Sequence, residues 1–366
     1  MRDFGDRSYP DYDGLGQLNP HGILREEALL EHGDIVFVRS NGNKDLVGRS
    51  LFLDSPPDDV SFSAFCIRAR LSEALNPRFY SYFFRTPHFR KRLALLGKGT
   101  NISNLNQHVL KKIAVPAPSR SEKSRVVALI RPYDDLIENN RRRIQLLEQA
   151  ARLLYKDWFV RLRFPGHEHV KITDGVPEGW EKVPLSELCT DIRESANPRD
   201  LPPDTAYIGL EHIPRRSVTL DHWGMASDVD STKFRFAEGD ILFGKIRPYF
   251  HKVGFALVNG IASSDAIVIR PTESSLYYYA LFLLSSDGFV SLASKTVREG
   301  SKMPRADWKF LLKSEFLRPS ESLIDFFSDV VRPVCNQLRV HALHSRKLSE
   351  ARDLLLPRLM SGEAAL

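Results

Sequence analysis

Hydrophobic and polar positions divide the chain into two halves of one design. In each half a Gly-Asp pair opens a short β-branched and aromatic run, Gly33-Asp34-Ile35-Val36-Phe37 and Gly239-Asp240-Ile241-Leu242-Phe243. Apolar stretches at Phe65-Cys66-Ile67 and Ala266-Ile267-Val268-Ile269 read as buried strands. A proline followed by a capping serine then signals a helix start, at Pro116-Ala117-Pro118-Ser119 and at Arg318-Pro319-Ser320. The pattern predicts a mostly β globule followed by a long helix, twice over.

In the first helix Tyr133, Ile137, Asn140, Ile144, Leu147, Ala151, Leu154 and Trp158 are spaced alternately by 4 and 3, which is a heptad seam. Asn140 either sets the register of that seam or lies exposed beside it. The corresponding line in the second helix, Val334, Leu338, His341, Ser345, Leu348, Arg352, Leu355 and Leu359, is apolar at both ends and polar in the middle. Its seam is weaker and rests on Leu338, Leu348, Leu355 and Leu359. Pro132 and Pro333 remove a backbone donor near the start of each helix, so a short leading helix and a bend are expected there.

The halves also match residue by residue. The Gly-Asp segments stand 206 positions apart, as do Val47-Gly48 and Val253-Gly254. Further on the offset is 201, and Gly99, Leu110, Lys112, Pro118, Ser119, Arg131, Pro132, Leu147 and Leu154 meet identical residues. A period this long means that each copy is a domain with its own core rather than one turn of a solenoid. The expected fold is α+β: two mixed, mostly β domains joined by two long helices that pair as an antiparallel coiled coil, in a tandem repeat with pseudo-twofold symmetry.

Composition narrows the reading. With 52 lysines and arginines against 46 acidic residues in 366, the formal charge is +6, which favours a polyanionic partner. Cys66, Cys189 and Cys335 are scattered and show no paired metal-ligand spacing. No apolar run approaches a membrane span and the start has no apolar signal core, so a cytoplasmic protein without a membrane partner is expected.

The string Tyr133-Asp134-Asp135-Leu136-Ile137-Glu138-Asn139-Asn140 leads into Leu153-Leu154-Tyr155-Lys156-Asp157-Trp158-Phe159, and downstream lies Val176-Pro177-Glu178-Gly179-Trp180. This string resembles the central region of the specificity subunits of type I restriction-modification systems. The Gly-Asp-Ile segments, Asn104-Leu105-Asn106-Gln107 and the closing Leu354-Leu355-Leu356-Pro357-Arg358-Leu359 are similar to that family too. The resemblance covers nearly the whole chain. It implies a non-catalytic subunit with two target-recognition domains, each reading half of a split site on double-stranded DNA. The helices between them would fix the gap and dock methyltransferase subunits, with restriction subunits joining through that core.

On this reading residues 1–118 form the first recognition domain and 119–164 the first helical region. Residues 165–178 are a linker, 179–318 the second recognition domain and 319–366 the second helical region. The second domain should open on a strand near Trp180; its counterpart would fall before residue 1, so the first domain is expected to be short at its N-terminus. The seam from Tyr133 to Trp158 is about 37 Å at 1.5 Å per residue, close to one turn of B-DNA at roughly 34–36 Å.

Base contacts do not transfer by resemblance, because recognition domains differ with the sequence they read. Arginine suits guanine, asparagine and glutamine suit adenine, and lysine mostly holds phosphate. In the first copy these rules select Arg39, Asn41, Asn43, Lys44, Lys98, Asn101 and Asn104. In the second copy the positional mates are Lys245, Arg247, Tyr249, His251, Lys252, Arg298, Ser301, Lys302 and Arg305. The plain alternative is that polar loops are polar everywhere. Arg141-Arg142-Arg143 reads as a solvated helix face or a partner contact before a base reader.

Catalysis is not expected. Ser55-Pro56-Pro57-Asp58 is a poor match to an adenine-methyltransferase motif, no glycine-rich cofactor loop precedes it, and no phosphate-binding G-x-x-x-x-G-K-[ST] loop occurs. His167-Glu168-His169 lacks the spacing and third ligand of a metal site. No cofactor is expected on this chain; S-adenosylmethionine, ATP and Mg are implied for the partner subunits. The rival readings are a self-contained DNA methyltransferase or endonuclease, and a coiled-coil adaptor that binds protein.

Overall fold

The computed structural model describes residues 2–5, 7–19, 26–96, 104–297 and 302–363. It forms two compact units, the first comprising residues 1–137 with 347–366 and the second residues 138–346.

In the first unit β1 (Ile35–Val38) pairs antiparallel with β2 (Ser50–Phe52) and β3 (Cys66–Ala69), in the order β2-β1-β3. Helices α1 (Pro77–Phe83), α2 (Pro87–Leu96) and α3 (Gln107–Lys111) follow, and then α4 (Arg120–Tyr155). Each start is capped. Asn76, Thr86 and Asn106 accept the N–H groups of Phe79, Phe89 and Val109. Ser119 and Glu122 bond reciprocally at the head of α4, a capping box that satisfies two orphan donors. The core gathers Ile35, Phe37, Phe79, Phe83, Phe89 and Leu105 against Val126 and Ile130 of α4.

The second unit begins inside α4. A hairpin, β4 (Ile172–Thr173) and β5 (Val176–Pro177), occupies the stretch expected to be a plain linker. Asp174 and Gly175 at its tip both have positive φ, as a two-residue Asp-Gly turn requires. The expected opening strand is only β6 (Glu181–Pro184), which gives way at once to α5 (Leu185–Leu188). Next come β7 (Cys189–Ile192), β8 (Ser195–Ala196), β9 (Ala206–Ile208), β10 (Thr219–Leu220), β11 (Gly224–Met225) and β12 (Lys233–Phe236). They are followed by β13 (Ile241–Gly244), β14 (Val253–Ala256), β15 (Gly260–Ala262) and β16 (Ala266–Pro271). These build two mixed five-stranded sheets, β10-β14-β13-β16-β7 and β11-β9-β15-β12-β8. Helices α6 (Tyr277–Leu284), α7 (Asp287–Lys295) and α8 (Trp308–Lys313) precede β17 (Glu315–Arg318), which pairs with β6, and α9 (Glu321–Ser361).

The Gly-Asp pairs have one physical cause in both units. Gly33 and Gly239 take φ of +88° and +89°, a left-handed conformation that glycine adopts without a Cβ penalty. The next carboxylate closes the turn: Asp34 accepts the Glu31 N–H and a two-pronged bond from Arg70, and Asp240 accepts the Ala237 N–H and the same fork from Arg270. All four forked bonds are 2.8 Å long.

Neither Pro132 nor Pro333 interrupts its helix, contrary to the expected short leading piece. Both prolines lie on the exposed face, where water can take up the unpaired carbonyl, while buried Ile130 and Val331 hold the flanking turns to the core. Within the second unit α4 and α9 touch in antiparallel order. Asn140 Oδ1 accepts from His341 Nδ1 at 3.1 Å, and Tyr155 and Trp158 meet Phe327 and Phe326 with ring centroids 6.3 and 5.3 Å apart. Ile137, Asn140, Ile144, Ala151 and Trp158 are buried, as are Leu338 and Leu359, while Tyr133, Leu147, Leu154, Leu348 and Leu355 are half-buried.

Candidate nucleic-acid interface

In each unit backbone hydrogen bonding brings two polar loops together. In the first, Leu105 N–H donates to Arg39 O at 2.7 Å; in the second, Ala306 N–H donates to Lys245 O at 2.9 Å. The loops are also pinned at their origin, Arg39 N–H to Phe65 O at 2.8 Å and Lys245 N–H to Asp265 O at 3.0 Å. The loop after the central strand thus lies beside the segment that enters α3 or α8.

In the first unit this places Arg39, Asn41, Asn43 and Lys44 beside Asn104, and all but half-buried Asn41 are exposed. The carboxamide oxygens of Asn41 and Asn43 shape the loop by accepting the N–H groups of Asn43 and Asp45. Lys98 and Asn101 lie outside the described residues.

In the second unit Arg247 N–H donates to Pro304 O at 2.8 Å, so Lys245, Arg247 and Tyr249 share a surface with Lys302 and Arg305. Arg247, Tyr249, Lys302 and Arg305 are exposed. Asp265 lies 3.7 Å from Lys245 Nζ and 3.3 Å from Arg305 Nη2, which tempers the charge of both. Lys252 is half-buried and donates to Leu210 O; burial, reinforced by the charge of Arg215, lowers its pKa. Arg298 and Ser301 lie outside the described residues.

His251 does not belong to this surface. It is 3% exposed, and its Nε2 lies 2.7 Å from Ser285 O. Burial depresses its pKa, with the Arg152 and Arg216 charges adding to that effect against the Ser285 bond. It was selected because basic residues in a loop look alike in sequence, whereas only the fold decides which of them turns inward.

Arg215 is the residue that sequence reasoning missed. It is exposed, and its guanidinium lies 3.9 Å from the centroid of Phe250, which also meets Arg247 at 5.8 Å. The basic dipeptide Arg215-Arg216 after Pro214 is the local signal for it, and the first copy has no basic pair at the matching positions. Arg247 adopts φ +49° and ψ +60°, unusual for a residue with a side chain. The combined surface offers forked guanidinium donors, an exposed ring and ammonium groups. These suit guanine edges, base or sugar faces, and phosphates respectively.

Among the described residues no group of three or more His, Cys, Asp or Glu is placed to hold a metal ion, and no single helix is long and apolar enough to cross a membrane.

Residues 22–149 match the family model described as type I restriction modification DNA specificity domain. The chain is 22% identical over 300 residues to the type I restriction enzyme MjaIX specificity subunit of Methanocaldococcus jannaschii, covering 77% of this chain and 68% of that one. It is also 22% identical over 368 residues to the EcoKI specificity subunit of Escherichia coli K12, covering 91% and 76%. The crystal structure of the type I restriction-modification S subunit from M. genitalium superposes with a TM-score of 0.51 at 16% identity, over 89% of this chain and 82% of that one. Residues 22–149 thus match the type I DNA specificity domain, and along most of its length the chain is similar to type I restriction-modification specificity subunits and shares the fold of one of them.

Proposed function

We propose that this chain is the DNA-reading, non-catalytic subunit of a type I restriction-modification complex, and that each unit reads one half of a bipartite target. The observation that carries this is the paired loop arrangement: the same backbone bond, Leu105 to Arg39 and Ala306 to Lys245, assembles a basic polar surface in both units. Arg39, Asn43, Lys44 and Asn104 form the first surface, and Lys245, Arg247, Tyr249, Lys302 and Arg305 with Arg215 form the second.

The finer architecture follows the same logic. The two copies are a tandem repeat, and α4 and α9 pair as an antiparallel coiled coil whose stiffness fixes the gap between half-sites. Their outer faces recruit methyltransferase subunits, through which restriction subunits join. Leu146 and Leu153 on α4 and Val160 in the π-helical turn that continues it, each 58% exposed and seven residues apart, support an apolar docking stripe away from the buried seam. S-adenosylmethionine, ATP and Mg belong to those partners, and the assembly works in the cytoplasm.

The test is a competition assay with the full chain. It should prefer duplex enriched from a randomised library over a scrambled duplex of equal length by about a thousandfold or more. Equal affinity for the two would reject the reading.

A further inference from the structure

The basic surface of the second unit stands on a turn that is strained and held from beneath. Residues 247–251 enter and leave through left-handed backbone, with φ +49° at Arg247 and +54° at His251, and neither residue is glycine. Such conformations persist only where the surroundings over-determine them. Here Pro248 and His251 are buried while Arg247 and Tyr249 face solvent. Arg216 N–H ties the adjacent segment to the turn by donating to His251 O at 2.9 Å.

Both segments are fastened to α4. Arg152 Nη1 donates to Ser285 O at 2.9 Å, and this carbonyl is the one that His251 Nε2 approaches to 2.7 Å. One helical turn earlier, Glu148 is 5% exposed, and its Oε1 accepts from Ser217 Oγ, Val218 N–H, Thr219 N–H and Thr219 Oγ1 at 2.7–3.0 Å. Glu148 therefore anchors the segment that carries Arg215, and Arg152 anchors the turn that carries Arg247 and Tyr249. A buried carboxylate beside a half-buried arginine is a costly arrangement for a helix whose only task is to pack.

We propose that Glu148 and Arg152 are positioning residues for sequence reading: acting through residues 217–219 and the Ser285 carbonyl, they hold Arg215, Arg247 and Tyr249 in the geometry that distinguishes bases. This rests on the DNA-reading role proposed above and assigns its second half-site a mount on α4. A base-reading fork displaced by about an ångström loses its bidentate geometry, whereas phosphate contacts tolerate the shift. Discrimination should therefore suffer more than affinity.

The experiment is enrichment of a randomised duplex library by the full chain, read by sequencing. Wild type should yield a two-part consensus. Arg152→Met should blur one part and leave the other intact, with discrimination at the blurred positions falling about tenfold to a hundredfold. Affinity for unselected duplex and the thermal midpoint should hold. Arg152→Lys, which keeps one donor for Ser285, should fall between the two, and it decides the matter alone if Arg152→Met does not fold. In an Arg247→Ala background, Arg152→Met should add little, because its effect runs through the same side chain.

A wild-type consensus from Arg152→Met and Arg152→Lys, or losses that multiply in the double variant, would overturn the inference. Failure of the wild type to enrich any consensus would instead reject the DNA-reading role itself.

Discussion

Inside the first unit Arg352 Nη1 donates to Asp134 Oδ1 at 2.8 Å, and the two side chains are only 5% and 0% exposed. Asp134 also accepts from Ser8 Oγ at 2.7 Å and pairs with Arg85 at 3.3 Å. Burial by itself would raise its pKa, but Arg85, Arg352 and the Ser8 hydroxyl outweigh that and hold the carboxyl below the ordinary aspartate value. Asp134→Asn leaves Arg352 buried beside a neutral amide and should cost about 3 kcal/mol in urea unfolding at neutral pH. Because the folded pKa is depressed, this stabilisation is present above the unfolded value and disappears as pH falls through the folded one. The wild-type and Asp134→Asn unfolding midpoints should accordingly converge in acid.

The matched forks on Asp34 and Asp240 make a second prediction. Asp34→Asn and Asp240→Asn each replace a charged acceptor with an amide that cannot receive both prongs, and each should cost about 1–3 kcal/mol. Similar losses, measured by chemical unfolding, would mark one turn built twice. A null effect at both positions would show the forks to be ornamental.

Much of this was legible in the sequence because the signals are local. A Gly-Asp turn, a capping serine after proline at Ser119 and a heptad line need only neighbours along the chain. The short strands β8, β9 and β11 were not legible, since two or three residues are too few to show an alternating pattern. The buried roles of Asp134 and Glu148 carry no local signal, because their partners at Ser8, Arg85, Ser217 and Thr219 lie 49 to 126 positions away. His251 failed for the same reason: its acceptor carbonyl belongs to Ser285, which no pattern around residue 251 reveals.

At the helix contact, His341 Nδ1 lies 3.1 Å from Asn140 Oδ1 and His344 Nδ1 lies 3.5 Å from Asn140 Nδ2. Burial, followed by the nearby charges of Arg143 and His344, lowers the His341 pKa. The unfolded chain then binds the proton more readily, so stability should fall as pH drops through the ordinary imidazole range. His341→Leu should flatten that part of the profile when unfolding is compared at pH 7.5 and at about 5.5. An unchanged slope would show that His341 contributes nothing to it.

Charge and base reading should separate by salt. Lys302→Ala should weaken binding to cognate and scrambled duplex alike and reduce the slope of log affinity against log salt by about 1. Arg247→Ala should cost about 1–3 kcal/mol on cognate duplex only. Affinities of both variants measured across a salt series provide the comparison.

Hydroxyl-radical footprinting of the full chain on its enriched duplex tests most directly whether both units read DNA. Two protected patches flanking an open gap are expected, with Arg247→Ala weakening one patch and Arg39→Ala the other. A single continuous patch that fades evenly in both variants would contradict the two-reader mechanism.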